Sequence, residues 1–140
     1  MNNPTRRLWL RAVLLTGALY FTIGIVFSAF AARSSHQMAV AWNFASFAVS
    51  LIAFAIHIGY EHFSLGNRPL IVGLHTALAV ALGAFLLAVS ANIRSIGIAT
   101  SNHRLLAIAL VVWPLMTGIP AFVVALIGAG GLHFFRRANV

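Results

Sequence analysis

Two histidines and the single acidic residue of this chain are spaced so that their side chains can meet. Glu61 follows His57 by four residues, which places both on one face of a helix. His57 lies nine residues before Gly66, and His75 lies nine residues after it. Gly66 and Asn67 are typical turn residues, and a short turn joins antiparallel neighbours. We therefore expect His57, Glu61 and His75 to converge at a similar depth.

Three kinds of chemistry suit such a cluster. In a structural role, Glu61 pairs with Arg68 of the adjoining turn or with Arg11, and the histidines hydrogen-bond around the pair. As a metal site, two imidazoles and a carboxylate suit zinc, non-haem ferrous iron or another divalent metal. As a proton or ion site, the cluster resembles the ionisable relays found inside membrane helices. Haem fits less well, because packed helix axes lie only about 8 to 10 Å apart.

The remaining histidines are expected to be less informative. On a regular helix His62 projects about 100° away from Glu61, which directs it towards lipid headgroups. The other three, His36, His103 and His133, fall at helix ends or in loops, where a solvated imidazole is the usual state. We assign none of these four to the cluster.

The composition removes most enzymatic designs. The chain has no Asp, Lys or Cys and only one Glu. Paired carboxylates, a Ser-His-Asp triad, carboxylate-bound Mg²⁺, a Schiff-base lysine and a thiolate centre therefore cannot be built from this chain alone. We expect the protein not to be an enzyme.

The charged residues divide the chain into long apolar stretches. Its 140 residues are 61% hydrophobic and 7% charged, with a mean hydropathy of +0.98. Four uncharged stretches each exceed the ~20 residues that a membrane-spanning helix needs. We predict an all-α integral membrane four-helix bundle with antiparallel helices and short loops. It forms a single domain over residues 1–140, with spans at 8–32, 38–63, 69–91 and 105–135.

The basic residues favour one orientation in the membrane. With the N-terminus inside, six of the nine arginines lie on the cytoplasmic side and three lie outside. This predicts a multi-pass protein of the cell inner membrane with both termini in the cytoplasm. Because the arginines flank the spans, the net charge of +8 indicates anionic lipid headgroups rather than nucleic acid as partners. Trp9 and Trp42 lie near the boundaries and are expected to anchor them.

A polar stripe runs along the second span. At about 100° per residue, Asn43, Ser46 and Ser50 fall on the same side as His57 and Glu61. Such a face is expected to meet protein or water rather than lipid. It forms either hydrogen bonds within the bundle or the lining of a pathway.

Small residues predict close contacts between helices. The first span carries Gly17, Gly24 and Ser28 on one face, and the third carries Ala79 and Gly83. In membranes, small residues let helix backbones approach each other closely. These faces suit packing within the bundle or between copies of the chain.

The fourth span contains the helix breakers Pro114, Gly118 and Pro120. Each proline removes one backbone hydrogen bond and obstructs the carbonyl four residues earlier. We predict a kink or a short unwound stretch there. Broken helices bind substrates in some transporters, but membrane helices without such a role also tolerate prolines.

These patterns leave two functional hypotheses. The leading one is a structural or accessory subunit that acts through helix packing, either as a homo-oligomer or with other membrane subunits. The alternative is a proton- or ion-coupled transporter, or a metal-binding membrane protein. It uses a cluster continued outward by serines and an asparagine: His57, Glu61, His75, Ser50, Ser46 and Asn43.

Overall fold

The structure, a computed structural model, describes residues 4–96 and 102–138. Within those residues it consists of helices and has no strand. The helices are α1 (Pro4–Ala32), α2 (His36–Gly59), α3 (Pro69–Ser95) and α4 (His103–Ala138), and a π-helical turn (Tyr60–Ser64) continues α2. The predicted all-α four-helix architecture is confirmed, and the predicted spans match these helices to within a few residues.

All four helices are long and apolar enough to cross a membrane. The qualifying segments are Leu8–Ala32, His36–Ser64, Pro69–Ser95 and His103–Phe134. Many large apolar side chains on these segments are exposed on the outside of the bundle. A soluble protein does not tolerate that surface, whereas hydrocarbon does. The chain is a multi-pass membrane protein.

The helices do not pack equally. α3 is central and packs along both α4 and α1, while α2 packs mainly against α1 and touches α3 and α4 little. α2 meets α4 near the α2–α3 turn, which we call the Gly66 end. There Ile58, Val72, Ala125 and Ala129 form a buried apolar cluster. The bundle is therefore closed at the Gly66 end, while α2 is peripheral elsewhere.

Glycines allow α1 and α3 to come close together. A Cβ on Gly17 would lie 2.7 Å from Leu82 Cδ2, and a Cβ on Gly83 would lie 2.6 Å from Tyr20 Cβ and 3.1 Å from the Gly17 carbonyl oxygen. Leu82 of α3 thus packs against Gly17 of α1, and Tyr20 of α1 packs against Gly83 of α3. The backbones approach as small-residue packing in membranes requires.

The other small residues divide between the bundle interior and its surface. Gly24 receives Leu87 of α3, because a Cβ there would lie 2.7 Å from Leu87 Cδ1. Ala79 is completely buried. Ser28, in contrast, is exposed and donates to the Ile25 carbonyl of its own helix at 2.9 Å. The predicted packing face is therefore used inside the bundle as far as Gly24, and for Ser28 packing between copies of the chain stays a prediction.

α4 passes through its two prolines without an interruption. The helix is continuous from His103 to Ala138 and includes Pro114 and Pro120. Gly118 is buried, and a Cβ there would lie 3.2 Å from Ala81 Cβ of α3. The helix is therefore not unwound at these prolines, and the predicted kink stays a prediction. Gly118 serves as a contact between helices rather than as a break.

Candidate functional site

The site lies at the Gly66 end, where a turn returns the chain over the end of α2. Gly66 has a φ of +63°, which an L side chain rarely adopts. This conformation directs Asn67 back to the π-helical turn, where its backbone N–H donates to the Glu61 carbonyl oxygen at 3.2 Å. Pro69 then starts α3, since its fixed φ and missing N–H suit a first helical residue.

Glu61 is at the centre of the site, and its side chain is 0% exposed. Its Oε2 accepts a hydrogen bond from Asn67 Nδ2 and lies 3.0 Å from His75 Nδ1 of α3. Its Oε1 is buried and has no hydrogen-bond partner among the described residues. A carboxyl group buried inside a membrane bundle is costly unless its charge is compensated. The side chains that contact Glu61 therefore determine whether its carboxyl group carries a charge.

His75 is the ionisable partner of Glu61, and its ring is held in place. Trp9 of α1 stacks on it with ring centroids 4.6 Å apart and an interplanar angle of 7°. The His75 side chain is 13% exposed, so it is the more accessible member of the pair. The predicted anchor Trp9 thus also orients a site residue.

His57 bonds to α1 and makes no hydrogen bond to the carboxylate among the described residues. Its Nδ1 lies 2.9 Å from Thr16 Oγ1, and its Nε2 is buried without a partner among the described residues. Thr76, next to His75 on α3, is likewise fully buried with an unpaired Oγ1. Several buried polar atoms at this end of the bundle thus have unused hydrogen-bonding capacity, which is rare in folded proteins.

The position of His62 differs from the one expected on a regular α-helix. It was expected to reach lipid headgroups, but it is 3% exposed and both ring nitrogens lack partners within the described part of the chain. The π-helical turn adds a residue to the helical repeat, so neighbouring side chains project differently from those on an α-helix. His62 therefore lies inside the bundle, with the His133 ring centroid 6.4 Å from its own.

The structure divides the predicted metal set. Glu61 and His75 are in hydrogen-bond contact, while His57 bonds Thr16. Among the described side chains, no three His, Cys, Asp or Glu residues are grouped so that they could hold a metal ion. The donor geometry therefore suits a proton shared by two groups better than an ion bound by three.

The predicted arginine partner of Glu61 is also wrong. Arg11 and Arg68 are both exposed, and the one ion-pair contact of Glu61 within the described residues is with His75. The Gly66 turn brings Asn67 over the carboxylate and leaves Arg68 outside. A neutral amide and a titratable imidazole thus occupy the place of a permanent cation.

The outer part of the polar stripe does not reach this site. Ser46 and Ser50 are half-buried, and Asn43 is exposed. α2 as a whole packs little against α3 and α4, which leaves part of its polar stripe uncovered. Of the residues in the polar stripe, only His57 and Glu61 are buried, and both lie at the Gly66 end.

Thr16 and Asn67 are the site residues that the sequence did not reveal. The sequence indicates Asn67 only as a turn residue, although a polar amide six residues after the sole acid was a usable signal. Thr16 lies 41 positions from His57, and nothing in the spacing links them. Its role depends on which face α1 turns towards α2.

The pair of Glu61 and His75 can hold one proton in two ways. Either His75 Nδ1 carries it and donates to the carboxylate, or Glu61 carries it and donates to a neutral imidazole. Both arrangements are neutral overall, whereas removal of the proton leaves an uncompensated buried carboxylate. The geometry suits reversible proton binding.

Comparison of the chain with protein-family models, with curated proteins and with solved structures finds no match.

Proposed function

We propose that this multi-pass membrane protein transports protons, and that Glu61 and His75 bind the proton in transit. The observation that carries the proposal is a completely buried carboxyl group whose ionisable contact within the described residues is an imidazole. Intramembrane ionisable groups of this kind typically belong to ion or proton pathways. Histidine is suited to the task because it gains and loses a proton near neutral pH.

The site has one accessible side and one buried side. The His75 side chain is partly exposed, and the Glu61 side chain is not. A proton therefore enters at His75, passes to Glu61 Oε2, and meets a buried region where Glu61 Oε1 and His57 Nε2 have no partners among the described residues. Water molecules that bridge these unpaired atoms would extend the path towards α1.

The distribution of arginines supports an orientation for this path. We place the protein in the cell inner membrane with both termini in the cytoplasm, as the positive-inside rule favours. The Gly66 end then faces the cytoplasm and anionic headgroups, and His75 takes its protons from that side.

Proton flux into vesicles tests the proposal. The purified protein is reconstituted into liposomes that contain a pH-sensitive dye, with potassium and valinomycin to hold the membrane potential constant. We expect the wild type to dissipate an imposed pH gradient faster than empty liposomes. Glu61→Gln keeps the size of the side chain but removes its charge, and it should reduce the flux to the empty-liposome level.

A matched pair of histidine variants controls for general damage. His75→Gln should also abolish the flux, while His103→Gln should leave it unchanged, because His103 is exposed at the far end of the bundle. A wild-type flux equal to that of empty liposomes would overturn the proposal. An undiminished flux in Glu61→Gln would do the same.

A second candidate is an accessory subunit or homo-oligomer, and Asn43 favours it. This residue is exposed on α2 in a surface depression that it lines with Val40, Phe44 and Phe47. Within the described residues its amide makes no hydrogen bond, and an amide in a membrane commonly bonds across to another helix. The glycines of α1 and α3 do not favour this candidate, because they are used inside the bundle.

Asn43→Leu tests the homo-oligomer, and the measurement is the mass of the assembly that the purified protein forms in lipid nanodiscs. If Asn43 joins subunits, this variant should be smaller than the wild type. Thr22→Leu is the control, because the exposed Thr22 hydroxyl already donates to Ala18 of its own helix at 2.9 Å. A wild type that is monomeric at all protein concentrations contradicts the homo-oligomer.

A further inference from the structure

A groove on the outside of the bundle lies between α1 and α2, in the half of the molecule next to the Gly66 end. Its volume is about 600 Å³, and the described residues that line it all belong to α1, α2 and the π-helical turn. The hydrogen bond between Thr16 and His57 joins its two sides and fixes which parts of the helices lie opposite each other. Because no described residue of α3 or α4 lines it, the groove faces the bilayer.

The sides of this groove are apolar. Leu15 of α1 and Ile52 and Ile56 of α2 line it and are exposed. Ala12 and Ala53 also line it and are half-buried, and their short side chains leave space between the larger ones. A flexible hydrocarbon chain can fill such a space without leaving any polar group unpaired.

The groove is about as long as one leaflet of a membrane. Along α1 it extends from Arg11 to Ile23, which at 1.5 Å per residue is about 18 Å. Along the second span it extends from Tyr60 to Val49, which is about 16 Å. The hydrocarbon core of a bilayer is about 30 Å thick, so one leaflet contributes about 15 Å. The groove therefore has the length of a lipid chain that reaches from the headgroups to the middle of the membrane.

Arg11 lies at the outer end of the groove, near the start of the span Leu8–Ala32. It is exposed, and within the described part of the chain it makes no hydrogen bond or ion pair. No acidic side chain of the protein is free to pair with it, because Glu61 is the only one and is completely buried against His75. A guanidinium group binds phosphate through two parallel hydrogen bonds, and an arginine near the end of a span reaches the headgroup layer. The counter-ion of Arg11 therefore comes from the lipid.

We propose that the groove binds one anionic phospholipid of the leaflet at the Gly66 end. Its phosphate pairs with Arg11, and one acyl chain lies along Leu15 and Ile56 towards the middle of the membrane. Tyr60 is exposed at the same end of the groove and presents a hydroxyl to the headgroup layer. A second copy of the chain cannot take this place with a carboxylate side chain, since its own Glu61 is buried. The site is separate from the Glu61 pair and does not depend on proton transport.

Native mass spectrometry tests the binding with defined lipids. The purified protein is freed of lipid in detergent and titrated separately with phosphatidylglycerol and phosphatidylcholine that carry the same acyl chains. We expect the wild type to retain one phosphatidylglycerol molecule and to bind it about fivefold more tightly than phosphatidylcholine, the effect of one basic residue near an anionic headgroup. Arg11→Gln should remove this preference, and Arg11→Lys should keep most of it.

Two matched pairs of variants locate the lipid. Arg68→Gln removes the same charge at the same end of the bundle, but Arg68 lies in the turn and does not line the groove, so its lipid preference should equal that of the wild type. Ala53→Phe fills the groove and should weaken the binding of phosphatidylglycerol at least fivefold. Ala55→Phe adds the same side chain to an exposed position of α2 outside the groove and should leave the binding unchanged.

Four results would overturn the proposal. The first is equal affinity of the wild type for the two lipids, which means that the acyl chains alone are bound. The second is an equal loss of preference in Arg11→Gln and Arg68→Gln, which means that the surface charge as a whole attracts the lipid. The third is unchanged binding in Ala53→Phe, which means that the lipid binds elsewhere. The fourth is a dimeric wild type that retains no lipid, which means that a second copy covers the groove.

Discussion

Glu61 is the residue on which the proposed function depends, and its surroundings were only partly predictable. The four-residue spacing to His57 and the hairpin to His75 correctly placed these residues at one end of the bundle. The contact with His75 at 3.0 Å followed from that placement. The bond between His57 and Thr16 did not, because it depends on the rotation of α1 about its axis.

Thr16 should be structurally important for the site. In Thr16→Val both His57 nitrogens lack a protein partner, and an unsatisfied buried polar group costs about 1 to 3 kcal/mol. We expect the free energy of unfolding to fall by that amount, measured by reversible unfolding in mixed micelles. Thr22→Val should leave it nearly unchanged, since Thr22 bonds only within its own helix. Equal stability of the two variants would show that His57 does not need Thr16.

At the scale of the helices, the end of α2 determines the site. The geometry of this helix end could not be predicted from the spacing of its residues. A constant rotation of about 100° per residue assigned His62 to the headgroups. The π-helical turn over Tyr60–Ser64 changes that rotation and buries both Glu61 and His62. Such turns carry no clear sequence signal, and they occur often at functional sites. The spacing of apolar residues predicts a helix here, but it does not show where the rotation per residue changes.

The left-handed glycine that follows this turn can be tested directly. A Cβ on Gly66 or on Gly59 would meet no atom within 4 Å, so the two positions differ only in backbone conformation. Gly66→Ala should lower the free energy of unfolding by about 1 to 2 kcal/mol, because φ is +63° there. Gly59→Ala should instead stabilise α2 slightly. If Gly66→Ala is as stable as Gly59→Ala, the turn does not hold Asn67 over Glu61.

The contact between α1 and α3 gives a second prediction for the helices. Gly83→Ala places a Cβ 2.6 Å from Tyr20 Cβ, so the two helices must move apart. We expect a loss of about 1 to 3 kcal/mol in the free energy of unfolding. Gly130→Ala is the control, because a Cβ there meets nothing within 4 Å. A Gly83→Ala protein with wild-type stability would contradict the close approach of α1 and α3.

For the whole molecule, the positions of the charges predicted the four membrane helices well. A charged side chain is costly in hydrocarbon, so membrane-spanning helices carry few charges. The four long uncharged stretches therefore indicate the four spans. The order of packing was not predictable, because each helix carries apolar side chains around most of its surface. That order places α2 at the periphery and leaves Asn43 uncovered.

The absence of cysteine makes the proposed orientation straightforward to test. Ser35 and Ser64 are both exposed and lie at opposite ends of the bundle, at either end of the second span. In intact cells, a membrane-impermeant maleimide should label Ser35→Cys but should label Ser64→Cys only after the membrane is opened. The reverse pattern would place the Gly66 end outside.

The proposed proton transport requires Glu61 to gain and lose a proton, and infrared spectroscopy detects its protonated carboxyl group. Because Glu61 is the only acidic side chain in the protein, a protonated carboxyl band can arise only from it or from the C-terminal carboxyl group. We expect the Glu61 band to be present in the wild type in acidic buffer, to weaken in alkaline buffer, and to be absent in Glu61→Gln. A wild-type spectrum with no carboxyl band beyond the one that Glu61→Gln also shows, or with a Glu61 band that is the same in both buffers, would contradict proton binding at this site.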